Sequence, residues 1–177
     1  GDVVIGLPSS GLHSNGFSLA RKALFEAAGF SVKDKPKALK GKTVGQALLA
    51  PTRIFVNPVL SAIEAGGKSR PIHALAHITG GGLLENVPRV LPKGMRCVLF
   101  PSRWAASRQP IFGLVQESGG VKEPEMYRVF NMGIGFVLVV AKAHAKKVMA
   151  ALRKAGESPI EIGHIEKGRN EVELRKE

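Results

Sequence analysis

The chain is short of acid, of aromatic rings and of cysteine: 14 Asp and Glu against 26 Lys and Arg, one Trp, one Tyr and one Cys among 177 residues. The lone Cys97 excludes an internal disulfide, and its place in the apolar run CVLF marks a core residue rather than a nucleophile. Asp2 and Asp34 form no carboxylate pair, and no acidic clamp for the magnesium of ATP chemistry is visible. No apolar stretch reaches the roughly 18 residues that cross a bilayer, and no basic-then-apolar leader opens the chain. The expectation is a soluble, unexported, cytoplasmic protein without a membrane partner. Gly1 in place of an initiator Met, with a strand starting at once, gives the expectation of a fragment or a processed product cut close to a domain boundary.

Apolar residues at 44% and charged residues at 23% are ordinary for one globular domain, residues 1–177. The net charge of +12 is spread as +5, +4 and +3 over residues 1–60, 61–120 and 121–177, so there is no basic tail. The densest cluster, Lys33, Lys35, Lys37, Lys40 and Lys42, is expected in a surface loop with Pro36 and Gly41 and holds no aromatic side chain. That pattern fits a solvated surface that helps attract phosphorylated small molecules, not a polynucleotide footprint.

Periodicity gives alternating elements. Val3–Leu7 is a buried strand, followed by a helix with Phe17, Ala20, Ala23 or Leu24, and Ala27 at helical spacing. Val56–Ala65 is a second helix, with Val56, Val59, Leu60 and Ile63 expected inward and Gly66 and Gly67 as its stop. Strands are expected at Ile72–Ile78, Arg96–Phe100, Phe136–Val140, Ile160–Ile165 and Val172–Leu174, and helices at Ile111–Glu117, Glu123–Phe130 and Lys142–Lys154. Val148, Ala151, Leu152 and Ala155 would face inward on the last of these helices. The order predicts an α/β or α+β-like layered fold, a mixed β-sheet packed with helices.

Two loops carry candidate chemistry. SSGLHSNGF, Ser9–Phe17, lies between the first strand and helix, where anions meet free N–H groups. His13 is the candidate for proton exchange if neutral or for pairing with phosphate if charged, with Ser9, Ser10, Ser14 and Asn15 as hydrogen-bonding groups. Gly11 and Gly16 allow positive φ or close approach of a ligand. The competing reading is a helix-entry turn in which Ser14 or Asn15 caps and His13 faces solvent. The second loop, Thr79-Gly80-Gly81-Gly82, follows His77 and is a candidate backbone cradle for phosphate, with Asn86 to orient an amide or cap the turn and Arg89 to meet an anion. It matches neither GxxxxGK[ST] nor GxGxxG, and tight packing alone would also account for it. His73 and His77 lie too far apart on a strand to share a metal. Trp104 is open to a role over a cleft or an interface, and Met132 is expected in packing.

Taken in order, GDVVIGLPSSGLHSNGFSLARK, PTRIFVNPVL, ALAHITGGGLLENVPRVLP, IFGLVQESGG, EMYRVFNMGIGFVLVV and IGHIEKG resemble the carboxyl-terminal domain of the phosphoribosylformylglycinamidine cyclo-ligase (aminoimidazole ribonucleotide synthetase) family over nearly the whole chain. The resemblance implies part of a two-domain, usually dimeric enzyme with its cleft between the domains. That enzyme converts formylglycinamidine ribonucleotide and ATP to aminoimidazole ribonucleotide, ADP and phosphate in purine biosynthesis. ATP is understood to activate the formyl oxygen by phosphoryl transfer before ring closure. The resemblance further implies that ATP and Mg2+ are held mainly by an amino-terminal domain absent from this chain, whose isolated half would be inactive. It places a substrate wall on Ser10, His13, Ser14, Asn15, Gly16, Thr79, Gly80, Gly81, Gly82 and Asn86. His13 is there the catalytic candidate, and the glycine loop the phosphate holder. The chain departs from the family pattern between Trp104 and Pro110, where AASRQ replaces a shorter connection. Other expectations compatible with the sequence are a related ATP-dependent superfamily member, such as formylglycinamidine ribonucleotide synthetase, and a noncatalytic basic nucleic-acid module.

Overall fold

In the computed structural model, which describes residues 1–177, one six-stranded sheet runs through the molecule. Its strands are β1 (Val3–Pro8), β2 (Ile72–His77), β3 (Met95–Leu99), β4 (Ile134–Val140), β5 (Ile160–Lys167) and β6 (Val172–Leu174), in the order β2-β4-β1-β5-β3-β6. All neighbouring pairs are antiparallel except β3 and β6, which are parallel, so the sheet is mixed as the sequence suggested. The helices are α1 (Phe17–Arg21), α2 (Val44–Leu48), α3 (Val56–Gly66), α4 (Gly82–Asn86), α5 (Pro110–Gly119), α6 (Glu123–Val129) and α7 (Ala145–Lys154). A π-helical turn, Lys22–Ala27, prolongs α1.

The continuous apolar runs VVIGL and IGFVLVV belong to central strands covered on both faces. Alternate residues serve two separate cores, because side chains alternate across a strand. Val4, Val137 and Val139 face the larger core with Leu24, Leu83, Trp104, Phe112 and Phe130. Val3, Ile5, Leu7, Leu138 and Val140 face the smaller one, roofed by α3 and α7. Register Val4↔Val139 and Ile5↔Leu138 keeps both sets in line. Cys97 is fully buried, and that burial pushes its thiol up to about 12, which keeps it protonated and inert.

The expected inward face of α3 holds only at Val59, and that of α7 holds except at Ala155. α3 buries Val59, Ala62 and Gly66, whereas Val56, Leu60 and Ile63 point to solvent. Both sets have helical spacing, and the smaller side chains let α3 approach α7 closely. On α7 Val148 and Leu152 are buried, but Ala155 is exposed past the helix end. Ala27 is likewise exposed. Trp104 covers neither a cleft nor an interface: it is fully buried, and its indole N–H donates to the Met132 carbonyl at 3.0 Å. Met132 is core, as expected.

Candidate functional site

β1 ends at Pro8, and the chain then doubles back in a loop at one end of the sheet. Leu12 enters the larger core, while the His13 ring turns toward the smaller one, 6.0 Å from Phe55 between ring centroids. Positive φ at His13 (51°), Ser14 (59°) and Gly16 (73°) makes this reversal. Gly16 has no substitute, since a Cβ there would lie 2.3 Å from the Phe130 ring. Gly135 on β4 is also required, because a Cβ there would fall 2.7 Å from His13 Cε1 and 2.8 Å from Phe55 Cζ. Gly16 itself is the α1 N-cap, and neither Ser14 nor Asn15 caps the helix.

His13 is 3% exposed and does not face solvent. Its Nε2 accepts from the Ser10 N–H at 2.9 Å and the Arg53 N–H at 3.4 Å, with Ser10 Oγ at 3.0 Å. Two backbone donors aimed at Nε2 require it to be unprotonated, so Nδ1 carries the proton. Nδ1 is buried and has no partner. Burial first, then the charges of His77 and Arg53, lowers the His13 pKa to about 4. The imidazole is therefore neutral near pH 7, and pairing of a charged His13 with phosphate is not available in this state.

The loop is held from beneath by residues that sequence reasoning did not place in the site. Asn131 Nδ2 donates to the Gly11 carbonyl at 2.8 Å, and its Oδ1 accepts from Ser9 Oγ at 3.0 Å and from the Gly133 N–H at 2.8 Å. Gln109 Nε2 donates to the Ser9 carbonyl at 2.6 Å. Arg53 binds the Pro8 carbonyl through Nη1 at 2.9 Å and both oxygens of Glu157, each at 2.9 Å, through Nη2. The Glu157 side chain is 4% exposed, so this ion pair is nearly dry on one side. A pair of opposite charges so distant in sequence has no local pattern, and neither Arg53 nor Glu157 was singled out from the sequence.

The glycine loop meets the histidine loop. A Cβ on Gly80 would lie 3.8 Å from Asn15 Oδ1, and Asn15 Nδ2 donates to the His13 carbonyl at 2.7 Å. Gly82, at φ 57°, sits so close to the α6 end that a Cβ would fall 2.2 Å from the Tyr127 carbonyl oxygen. Asn86 is buried and turned inward. Its amide donates to the carbonyls of Gly80 at 3.1 Å and Gly82 at 2.8 Å, and its Oδ1 accepts from Thr79 Oγ1 at 3.1 Å. Of the two roles the sequence offered it, orienting a ligand amide or capping the turn, these bonds are those of a residue that holds the turn. Glu85 stands against Gly81, where a Cβ would lie 2.5 Å from its Oε2, and Arg89 pairs with Glu85 at 3.7 Å instead of standing free. Ser14 is exposed at the rim.

His77, the last residue of β2, is exposed beside the glycine loop, its ring 6.2 Å from both Phe55 and Phe136. The residue pattern had offered it only as an unsuitable metal ligand. His73 is elsewhere, paired with Asp2 at 2.6 Å on the surface. No three His, Cys, Asp or Glu side chains gather to hold a metal ion.

The model of the AIR synthase related protein C-terminal domain matches residues 1–175. The chain belongs to that family. The phosphoribosylformylglycinamidine cyclo-ligase of Brevibacillus brevis is 51% identical over 172 residues, 97% of this chain and 48% of the relative. That of Anaeromyxobacter dehalogenans is 52% identical over 168 residues, 95% of this chain and 46% of the relative. The chain thus spans about half the length of the curated relatives it matches. Among solved structures, thiamine-monophosphate kinase from Stenotrophomonas maltophilia superposes with a TM-score of 0.56 at 15% identity, covering 100% of this chain and 51% of the kinase. AaThiL complexed with AMPPCP and TMP gives 0.55 at 18% identity, covering 99% and 48%. These likenesses show a shared fold.

Proposed function

We propose that this AIR synthase C-terminal domain forms the substrate wall of an ATP-dependent cyclo-ligase that converts formylglycinamidine ribonucleotide to aminoimidazole ribonucleotide, ADP and phosphate. The observation that carries the reading is the meeting of Asn15 with Gly80, which joins the two loops of the family resemblance into one surface. Identity of about half with cyclo-ligases supports the same assignment.

In this reading His13, Ser10, Ser14, Asn15 and Gly16 face the reacting amidine end, and Thr79 with Gly80, Gly81 and Gly82 gives the backbone close approach to substrate. Proton transfer by the neutral His13 requires its Nδ1–H, buried without a partner, to be uncovered. ATP, when bound, supplies phosphoryl activation of the formyl oxygen. The residues present do not fit magnesium, since no carboxylate or histidine set gathers here. That chemistry is assigned to the amino-terminal half that the relatives carry, and no step is derived through the metal. The complete protein is proposed to be a cytoplasmic homodimer. No helix of the chain is long and apolar enough to cross a membrane.

The test is turnover by the complete protein, this chain joined to its amino-terminal half. ATP-dependent formation of aminoimidazole ribonucleotide is the expected result, with none from the 177-residue chain alone. Failure of the complete, folded protein to make that product overturns the reading.

A further inference from the structure

A hollow of about 350 Å³ opens beside the histidine loop, and Glu85 is not among its lining residues. Its walls come from the end of the lysine-rich connection, from α2 and from the segment between Trp104 and α5. Lys40, Lys42 and Arg108 line it together with Ser10, Ser107 and Gln109, and no carboxylate does. Its size falls in the roughly 300–1,000 Å³ range of small-molecule sites.

The three cations lack acidic partners. Lys40, Lys42 and Arg108 share this with every other lysine and with Arg21, Arg70, Arg153 and Arg169, and differ from those in lining one hollow together. Arg108 is anchored by a neutral group instead: its Nη2 donates to Tyr127 Oη at 2.7 Å and its guanidinium lies over the Tyr127 ring. Its Nε is buried with no hydrogen-bond partner. The guanidinium of Arg108 is thus turned to Tyr127 and has no acidic partner, while the residue itself lines the hollow. At the rim, the ten-residue α5 begins with no side-chain cap, because the Gln109 amide is turned away to Ser9, and its positive end adds to the field. Ser10 joins hollow and histidine loop, since the same residue meets His13 Nε2.

We propose that this hollow is a subsite for a phosphate monoester dianion, held by Lys40, Lys42 and Arg108 beside Ser10. The inference rests on the cyclo-ligase reading only for the rest of the molecule attached to that phosphate. It moves the phosphate away from the glycine loop, where Glu85 stands, and into the segment AASRQ at which this chain departs from its family's pattern. The same chemistry suits the phosphate of a ribonucleotide substrate or free phosphate, and the experiment separates them.

The test follows amide shifts of the labelled chain during titration with inorganic phosphate and with ribose 5-phosphate. Saturable shifts are expected at Ser10, Lys40 to Lys42, and Ser107 to Arg108. The double variant Lys40→Gln/Lys42→Gln should weaken binding about tenfold or more, and Lys33→Gln/Lys35→Gln, with the same loss of charge outside the hollow, less than about twofold. Equal weakening by both variants, or shifts centred on Thr79 to Gly82, overturns the subsite. Formylglycinamidine ribonucleotide and its dephosphorylated nucleoside form the second arm. Movement of the hollow by the ribonucleotide and not the nucleoside assigns the substrate phosphate. Movement by inorganic phosphate but not the ribonucleotide keeps the subsite, for free phosphate, and counts against the cyclo-ligase reading. Movement of the histidine loop by the ribonucleotide with a silent hollow keeps that reading and overturns the subsite.

Discussion

His13 is the residue whose state can be read with least ambiguity from its surroundings. Its folded pKa near 4 lies below the unfolded value of 6.5, so between these limits the unfolded chain binds the proton and the folded one does not. Stability from this group is complete above about pH 6.5 and is lost as pH falls toward 4, by about 3 kcal/mol in all. Denaturant unfolding at pH 7, 6 and 5 should show that decline, and His13→Asn should flatten it. In the complete protein the same substitution should lower the rate at saturating substrate, while an unchanged rate removes His13 from the chemistry. Glu157 is the second informative residue. Glu157→Ala leaves Arg53 half-buried without its carboxylate and should cost about 2 kcal/mol of stability, measured by denaturation. The loop's importance was legible from its composition, since a histidine among serines and glycines after an apolar strand is a local pattern. The ring's burial was not legible, because it depends on Gly135, Phe55 and the Arg53 backbone, all remote in sequence.

Among the elements, the strands were the most legible. β1 and β4 are buried on both faces and therefore read as unbroken apolar runs. α3 was misread because Val56, Leu60 and Ile63 and the set Val59, Ala62 and Gly66 both have helical spacing, and only the neighbouring α7 selects between them. The triple glycine was legible as a special backbone, but its three members differ. Gly82→Ala would place a methyl group 2.2 Å from the Tyr127 carbonyl at a positive φ, and should cost roughly 3 kcal/mol or more, or prevent folding. Gly80→Ala meets only Asn15 Oδ1 at 3.8 Å and should change the thermal midpoint little. Equal losses for the two would contradict the packing described. Asn86 explains the division, since it ties the loop's carbonyls together from inside.

For the whole molecule, alternation of helical and extended segments was enough to anticipate a layered mixed sheet. It could not reveal which segments converge, because the strand order β2-β4-β1-β5-β3-β6 brings β1 between strands far along the chain. That order sets the end of β1 beside the entry to β4, and β2 on β4's other side. The histidine and glycine loops consequently open on one end of the sheet. The central claim is that the two loops form one wall for formylglycinamidine ribonucleotide. Titration of the complete, isotope-labelled protein with that ribonucleotide tests it most directly. The account predicts that amides from Ser10 to Gly16 and from Thr79 to Gly82 shift together with a single dissociation constant. Movement of one loop with the other unperturbed, or two separate constants, would contradict it.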